Sequence, residues 1–404
     1  MKKLKQLYKN LTPALSTGEW VKKRYGFISF FLKSLPFGAT VATEGFRVGL
    51  YLLLCLSFYG KTYASNGEKE MIEKKKKITF SYNITSSDKI SLENQFGDVR
   101  VSFWDKNEIK VEVVVLANAT SEERAANFIS IVDVVGKKTD GQVSIKTNID
   151  REEGNYKNNT WNWKGGDNDK NSLKVDYQVF MPKNNTLKVK NSFGNTYLPT
   201  FTSVLIAEHS YGKFVAEDIT NPLSEVTLAF CKGSYIKSIS GGKLKASYSG
   251  IKMESADDFN FNNSFGEIDI KEVGKLSAKI SYSSGNIGII RESSNLKIDF
   301  SGGFKLGEIG KNVKELNLNA NYSPINITLD DAVSYDFEVK ANHGNFAYPV
   351  NRGVSFTTNS ETDSKKNNGN HSYNPSKYYI GKIGKGSSGC KIIVNSNFSS
   401  VKFE

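Results

Sequence analysis

The chain has 404 residues, and its content of 38% hydrophobic and 24% charged residues is typical of a folded protein and excludes a wholly disordered one. Its formal net charge of +12 suggests binding to nucleic acid, but residues 1–64 hold ten Lys or Arg against Glu19 and Glu44, which leaves only +4 for the rest. A mixed, solvated surface accounts for a charge of +4, so the sequence argues against a nucleic-acid partner.

Residues 1–64 have the features of an export leader. The apolar run VGLYLLLCLSFYG lies between Arg47 and Lys61 and is much shorter than the ~20 residues that span a bilayer. Basic residues precede it and small or polar residues follow, which predicts a signal peptide ending near Ala64. An uncleaved signal anchor is the alternative. We therefore expect an extracytoplasmic protein of the periplasm, outer membrane or cell surface, with a basic junction at residues 65–77.

Residues 78–186 predict a β-rich N-terminal cap. Apolar and polar residues alternate in ITFSYNI, KISLEN, DVRVSFW and EIKVEVVV, the period of strands with one buried face. The segment ATSEERAANFISIVDVV predicts one helix, because Thr120 and Glu123 form a capping box and an apolar face follows at Ala125, Phe128, Ile129 and Val132. A polar insertion at residues 151–171 interrupts the cap, and a second one follows at residues 351–385.

Residues 187–350 contain a repeat. Gly or Ser turns flanked by alternating apolar residues recur every 16 to 21 residues, and a closing copy lies in residues 386–404. Such a repeat predicts a coiled solenoid of stacked parallel strands. The alternative is a β-sandwich with hairpin turns, but the Asn-Gly and Asp-Gly pairs that mark such turns are sparse.

Glycine and aromatic residues mark the corners of this repeat. We assign structural turns to six glycines, because a corner often needs a backbone with positive φ that a Cβ penalises: Gly97, Gly194, Gly212, Gly266, Gly285 and Gly344. Aromatic residues just before the turn are predicted to stack as a column at one corner: Phe96, Phe193, Tyr211, Phe265 and Tyr322.

These segments resemble a known family. ENQFGDVRVSFWDKNEIKVEVVV, SEERAANFISIV, QVSIKTNI, the "NSFG" and "HSYG" turns and the closing GKGSSGCKIIVNSNFSSVKF together resemble the putative-adhesin β-solenoid proteins of bacterial envelopes, especially those of Bacteroidetes. The resemblance covers about residues 78–404. It implies an exported, all-β, right-handed parallel β-solenoid (β-helix) with an N-terminal β-rich cap, and it carries over no catalytic or ligand residue.

The sequence contains no recognisable catalytic constellation. No G-x-S-x-G turn or P-loop is present, and His209, His343 and His371 occupy unrelated positions. Beyond the leader the only cysteines are Cys231 and Cys390, whose spacing fits neither a metal site nor a disulfide framework. Free buried thiols are the simpler interpretation and a bridge between them is the alternative. We therefore predict a protein that is not an enzyme and has no metal or other cofactor.

One surface feature predicts ligand binding. Trp161 and Trp163 lie on one side of an extended stretch inside the first polar insertion, where their rings could stack on sugars or enter a partner interface. The alternative is that both rings fold back and anchor the loop.

The function predicted from the sequence is that of a non-catalytic, exported envelope protein whose solenoid surface serves adhesion or binding to a partner protein or surface glycan. Membrane contact is expected only through an uncleaved leader. The alternatives are a periplasmic accessory or sensor protein of an envelope-stress regulatory system and a β-helix enzyme that degrades polysaccharides.

Overall fold

Strands dominate the residues that the structure describes. The computed structural model describes residues 71–150, 171–360 and 375–404, all within one unit, Lys69–Glu404. These residues form 27 β-strands, one α-helix and a 3-10 turn at Val350–Arg352. No helix in the described ranges is both long and apolar enough to cross a membrane.

The N-terminal part contains seven strands and the helix. Alternate residues of its longer strands are buried, because one sheet face packs on the core and the other meets solvent. Lys74–Lys77, which the sequence assigns to the junction, already belong to the first strand. The elements are β1 (Ile72–Asn83), β2 (Lys89–Gln95), β3 (Val99–Phe103), β4 (Glu108–Ala119), α1 (Glu122–Ser130), β5 (Val132–Thr139), β6 (Gln142–Ile149) and β7 (Ser172–Met181).

The helix α1 lies where the sequence predicts it, but it is shorter and capped differently. Ser121 is its N-cap, and the Ser121 hydroxyl accepts a hydrogen bond from Arg124 N at 3.3 Å. Ala125 is buried and Phe128 packs against the core, as predicted. The helix ends at Ser130, so the predicted fourth member of its apolar face already belongs to β5.

The middle of the chain forms two ladders of parallel strands. The first ladder contains β2 and the even-numbered strands of this part, and the second contains β3 and the odd-numbered ones, while β17, β18 and the strands that follow them continue both ladders. These strands are β8 (Leu187–Ser192), β9 (Thr196–Leu198), β10 (Leu205–Ser210), β11 (Phe214–Ile219), β12 (Glu225–Ala229), β13 (Ser234–Ser240), β14 (Lys243–Ser247), β15 (Ile251–Asp257), β16 (Phe259–Ser264), β17 (Glu267–Ser281), β18 (Ser284–Asp299), β19 (Phe304–Ile309), β20 (Glu315–Asn321) and β21 (Ile325–Leu329).

The last strands do not follow chain order. β26 pairs in parallel with both β20 and β22, so the closing segment is inserted between two earlier strands of the first ladder. β27 is inserted in the same way between β21 and β23 of the second ladder. The strands of this part are β22 (Tyr335–Asn342), β23 (Phe346–Ala347), β24 (Val354–Asn359), β25 (Ser376–Ile383), β26 (Cys390–Asn397) and β27 (Val401–Phe403).

The predicted fold class is wrong beyond its all-β content. All 27 described strands join one mixed, nearly closed, barrel-like sheet and do not form a parallel β-solenoid. Antiparallel pairs border the parallel ladders at both ends: β1 with β4, β4 with β7, and β5 with β6 at one end, β22 with β25 and β24 with β25 at the other. A repeat pattern predicts only how identical units pair, whereas the ends of a sheet are governed by the need to cover free backbone groups.

The core is one continuous apolar cluster to which strands of both ladders contribute buried side chains. Residues at equivalent positions in successive strands of the first ladder are all buried, as in the row Val189, Ala207, Val226, Leu244 and Phe261. A single strand cannot bury such a face alone, whereas the paired strands of the sheet bury it continuously. This arrangement brings the ends of the first-ladder strands into a single row, and that row carries the candidate site.

Candidate functional site

An aromatic residue follows each of eleven strands of the first ladder, in a left-handed backbone conformation. We call this row the aromatic corner. Its members have φ between 49° and 63° and lie in the spatial order Phe96, Phe193, Tyr211, Phe230, Tyr248, Phe265, Tyr282, Phe300, Tyr322, Phe398 and His343. Such a φ costs a residue with a Cβ about 1–2 kcal/mol, so a compensating interaction is expected at each position.

Ring stacking provides that interaction. Neighbouring rings of the aromatic corner lie 4.6 to 5.1 Å apart between centroids, with interplanar angles of 1° to 11°. The spacing follows from the ladder, because each strand contributes one ring and paired strands lie about 4.8 Å apart. Each stacked pair contributes about 0.5–1.5 kcal/mol beyond the area that it buries, which is close to the cost of the backbone conformation.

The aromatic corner remains half exposed. Nine of its rings, from Phe193 to Phe398 in spatial order, are 44 to 52% exposed. With about 200 Å² of surface per aromatic side chain, they present roughly 900 Å² in one stripe, more than the ~300–600 Å² of the largest apolar patch on a typical monomer. Because each inner ring is covered on both faces by its neighbours, the stripe offers solvent the edges of its rings.

Phe and Tyr alternate along the stripe. The alternation holds in spatial order from Phe193 to Phe398, and His343 follows in the position where the next Tyr would lie. It depends on the inserted strand β26, since Phe398 separates Tyr322 from His343. Four ring edges therefore carry a hydroxyl that makes no hydrogen bond to the described part of the chain, at Tyr211, Tyr248, Tyr282 and Tyr322. Successive hydroxyl-bearing rings lie roughly 10 Å apart, two strand spacings.

A row of small polar side chains runs beside the rings. In the first half of the stripe the residue before the ring is Ser at every position except Ala229, and the hydroxyls of Ser192 and Ser210 lie 2.8 Å apart. In the second half it is Asp or Asn, and Asn321 Nδ2 donates to Asp299 Oδ1 at 2.6 Å. Asn397 Nδ2 donates in turn to Asn321 Oδ1 at 2.7 Å. The aromatic stripe thus has hydrogen-bonding groups along one side.

The predicted corner glycines lie at this site, with one exception. Gly97, Gly194, Gly212, Gly266 and Gly344 each follow a member of the aromatic corner directly. Gly285 instead lies in β18, three residues after Tyr282, and the equivalent position is Ser283.

The reason proposed for these glycines from the sequence is wrong. Positive φ belongs to the preceding aromatic residue, and none of the five glycines at the corner has it. Glycine is needed at Gly194 and Gly212 because the adjacent turn is too close: a Cβ would lie 1.9 Å from Gly97 O and 1.7 Å from Gly194 O, respectively.

In other turns the residue directly after the ring is serine, and its hydroxyl group has a role that glycine lacks. Buried Ser301 accepts a hydrogen bond from Ser283 N at 3.2 Å, and its own hydroxyl donates to Asp299 O at 3.0 Å. Ser323 and Ser399 repeat this pattern in the next turns. The serine hydroxyl therefore pairs a backbone N–H that would otherwise be buried without a partner.

The remaining predicted groups are buried or lie outside the described residues. Cys231 and Cys390 are free and buried. His209 is 3% exposed, its Nδ1 lies 3.0 Å from Thr196 Oγ1, and burial lowers its pKa to about 4. No group of three or more His, Cys, Asp or Glu in the described ranges could hold a metal ion.

Trp161 and Trp163 lie outside the described residues, as does His371. Ligand binding by the two tryptophans therefore stays a prediction. The aromatic corner itself was foreseen at five positions, but its alternation and its exposure were not, because both depend on the spatial order of the strands.

No protein-family model and no curated protein matches this chain. Among solved structures, a "putative cell adhesion protein" from Clostridium sporogenes ATCC 15579 matches with 9% identity and a TM-score of 0.18, over 82% of this chain and 99% of the other. A "putative adhesin" from Bacteroides fragilis NCTC 9343 matches with 10% identity and a TM-score of 0.31, over 81% and 97%. A "putative lipid binding protein" from Parabacteroides distasonis ATCC 8503 matches with 14% identity and a TM-score of 0.30, over 81% and 96%. Proteins with adhesin descriptions are thus among the structural matches, at an identity too low to assign a family.

Proposed function

We propose that the protein is a non-catalytic, exported envelope protein that binds an extended partner or surface glycan along its aromatic corner. The exposed stripe of nine stacked rings carries this proposal. Exposure of roughly 900 Å² of aromatic surface in one row is costly in water unless something covers it. The area per protein is close to the ~800 Å² that each partner buries in a standard interface.

The shape of the stripe favours an elongated partner. Its nine rings are separated by eight spacings of 4.7 to 5.1 Å, which gives a length of roughly 39 Å, and it is one ring wide. A compact small molecule would use only a fraction of it. A polymer or an elongated protein surface would contact the rings, the four Tyr hydroxyls and the adjacent row of Ser and Asn together.

The experiment replaces two rings in the centre of the stripe in the full chain. Tyr248→Asn with Tyr282→Asn removes both rings, and Asn tolerates the left-handed conformation at φ of 50° and 51°. The matched control, Leu223→Ala with Val350→Ala, removes two side chains that are 72% and 81% exposed elsewhere.

Binding is measured as retention on isolated bacterial envelopes and on a glycan array, with circular dichroism as a check of folding. We expect the ring variant to bind at least tenfold more weakly, because contacts near the centre of an interface contribute most of its affinity. The control should bind as the unmodified protein does. Unchanged binding by a folded ring variant would contradict the proposal.

A further inference from the structure

A row of lysines lies beside the centre of the aromatic corner, on the same face as the Ser row. Lys245, Lys279 and Lys297 are exposed and each precedes a ring by three residues, at Tyr248, Tyr282 and Phe300. In a strand, residues one and three positions before the ring point to the same side. The lysines, the serines and the ring edges therefore form one continuous surface.

Strand register places these lysines in one row of the first ladder, in a stretch from Thr227 to Asn395 that holds no acidic residue; the next position beyond Thr227 is Glu208. Through successive parallel pairs the row reads Thr227, Lys245, Asn262, Lys279, Lys297, Asn319 and Asn395. Lys279 and Lys297 are directly paired neighbours. Like charges in such a position destabilise a sheet, so fold stability alone does not account for this placement.

Two of the lysines have no carboxylate partner among the described residues. Lys245 and Lys279 make no ion pair with the described part of the chain. Lys297 lies 3.5 Å from Asp299, and Glu267 is exposed just past the corner at Phe265. Two lysines of the second ladder, by contrast, have carboxylate partners: Lys237 lies 3.3 Å from Asp218, and Lys271 pairs with Glu254. The centre of the corner thus keeps a local excess of positive charge.

We propose that this surface binds an acidic polysaccharide that runs along the aromatic corner. The anionic groups of the polymer meet Lys245, Lys279 and Lys297, and its hydroxyls meet the phenols of Tyr248 and Tyr282 and the Ser row. Lys245 and Lys279 are two strands apart, roughly 10 Å, as are the two phenols. An extended glycan repeats its acidic and hydroxyl groups at intervals of one or two sugars, which suits both rows. This inference rests on the proposed function and names its ligand class.

Ring geometry separates this ligand from nucleic acid, the other common extended polyanion. Proteins hold single-stranded nucleic acid by stacking bases on free aromatic faces. At the corner the rings of Tyr248 and Tyr282 have neighbours on both sides, at centroid distances of 4.7 to 5.1 Å. No base can stack between them, whereas ring edges, hydroxyls and ammonium groups remain available to a sugar acid.

The test measures binding of the full chain to polygalacturonate, which carries one carboxylate per sugar, and to its methyl ester, which has the same backbone without the charge. Polygalacturonate should bind at least fivefold more tightly than its methyl ester does. Its affinity should fall as the salt concentration is raised. Poly(dT) and vesicles containing phosphatidylglycerol are the competing probes. Tighter binding of either of them, or equal binding of the methyl ester, would overturn the proposal.

Two pairs of substitutions assign the contacts. Lys245→Gln with Lys279→Gln should weaken polygalacturonate binding by roughly five- to tenfold, the value of two exposed ion pairs. The control, Lys237→Gln with Lys271→Gln, makes the same change in net charge away from the corner. Its affinity for polygalacturonate should stay within twofold of that of the unmodified protein. Equal losses in the two pairs would show an unspecific charge effect and refute the site.

A third pair tests the hydroxyls alone. Tyr248→Phe with Tyr282→Phe keeps every ring, as Phe already fills the alternate positions, and should weaken polygalacturonate binding by about fivefold. Unchanged affinity would refute the phenol contacts. If the Tyr248→Asn, Tyr282→Asn variant loses envelope binding but the unmodified protein binds no acidic polysaccharide, the proposed function is supported and this ligand class is refuted. If that ring variant binds envelopes as the unmodified protein does, the proposed function is refuted, and the inference that rests on it is refuted as well.

Discussion

Replacing Gly194 with alanine tests how closely two turns approach at the corner. The added Cβ would lie 1.9 Å from Gly97 O, and ordinary contact begins at 3.4 Å, so the two backbones must separate by about 1.5 Å. Gly97 O accepts hydrogen bonds from Asn94 Nδ2 at 3.3 Å and from Asn191 Nδ2 at 3.1 Å, and both side chains are buried. The shift must therefore weaken a buried polar network as well as the packing.

The expected loss in free energy of unfolding is about 3 kcal/mol. Forced movement in a packed interior costs about 2 kcal/mol, and a weakened buried hydrogen bond adds about 1 kcal/mol. Urea unfolding followed by circular dichroism measures this difference.

Gly302→Ala is the matched control. No atom of the described residues lies within 4 Å of the position where its Cβ would be, and Gly302 has no positive φ. Its free energy of unfolding should change by less than about 0.5 kcal/mol. If the Gly194 variant is as stable as the Gly302 variant, close approach is not what requires glycine at the corner.

Three further predictions concern buried groups. Ser301→Ala removes the acceptor of the Ser283 N–H and should lower the free energy of unfolding by about 1–3 kcal/mol in urea titrations, whereas Ser284→Ala, at an exposed neighbour, should have little effect. Burial lowers the pKa of His209 to about 4, so the neutral ring stabilises the fold above pH ~6.5 and this contribution is lost as the pH falls towards 4. His209→Asn should reduce that loss in urea midpoints measured across this range; an unchanged pH profile would argue against it. Burial raises the pKa of the Cys390 thiol to about 12, so iodoacetamide at pH 8.5 should label it only in urea, as read by peptide mass spectrometry, and labelling of the folded chain would contradict its burial.

The local structure was largely predictable from the sequence. Alternation of apolar and polar residues locates strands such as β4 and β8, because a half-buried strand imposes that period directly. The corners at Gly97, Gly194, Gly212, Gly266 and Gly344 were found for the same reason, since a turn of fixed shape recurs. The assignment slipped at Gly285 because Ser283 holds the corner there and glycine was used as the marker.

The spatial order of the strands was not predictable from the repeat. Nothing in the residues of β26 indicates that it enters between β20 and β22, because its apolar pattern would fit any position in the ladder. The alternation of Phe and Tyr and the row of lysines both depend on that order or on strand register. Sequence analysis therefore found the parts of the corner but not the surface that they form.

The position of β26 also determines when the molecule can be completed during its synthesis. A ribosome releases β20 and β22 before residues 390–404, so the place between these two strands can be filled only after residues 390–404 have been made. Only then can Phe398 enter between Tyr322 and His343 and join the row of rings into one. Residues 390–404 thus supply the strands that lie between β20 and β22 and between β21 and β23, and a chain without them would lack both. The spatial order of the strands therefore differs from the order in which they are synthesised.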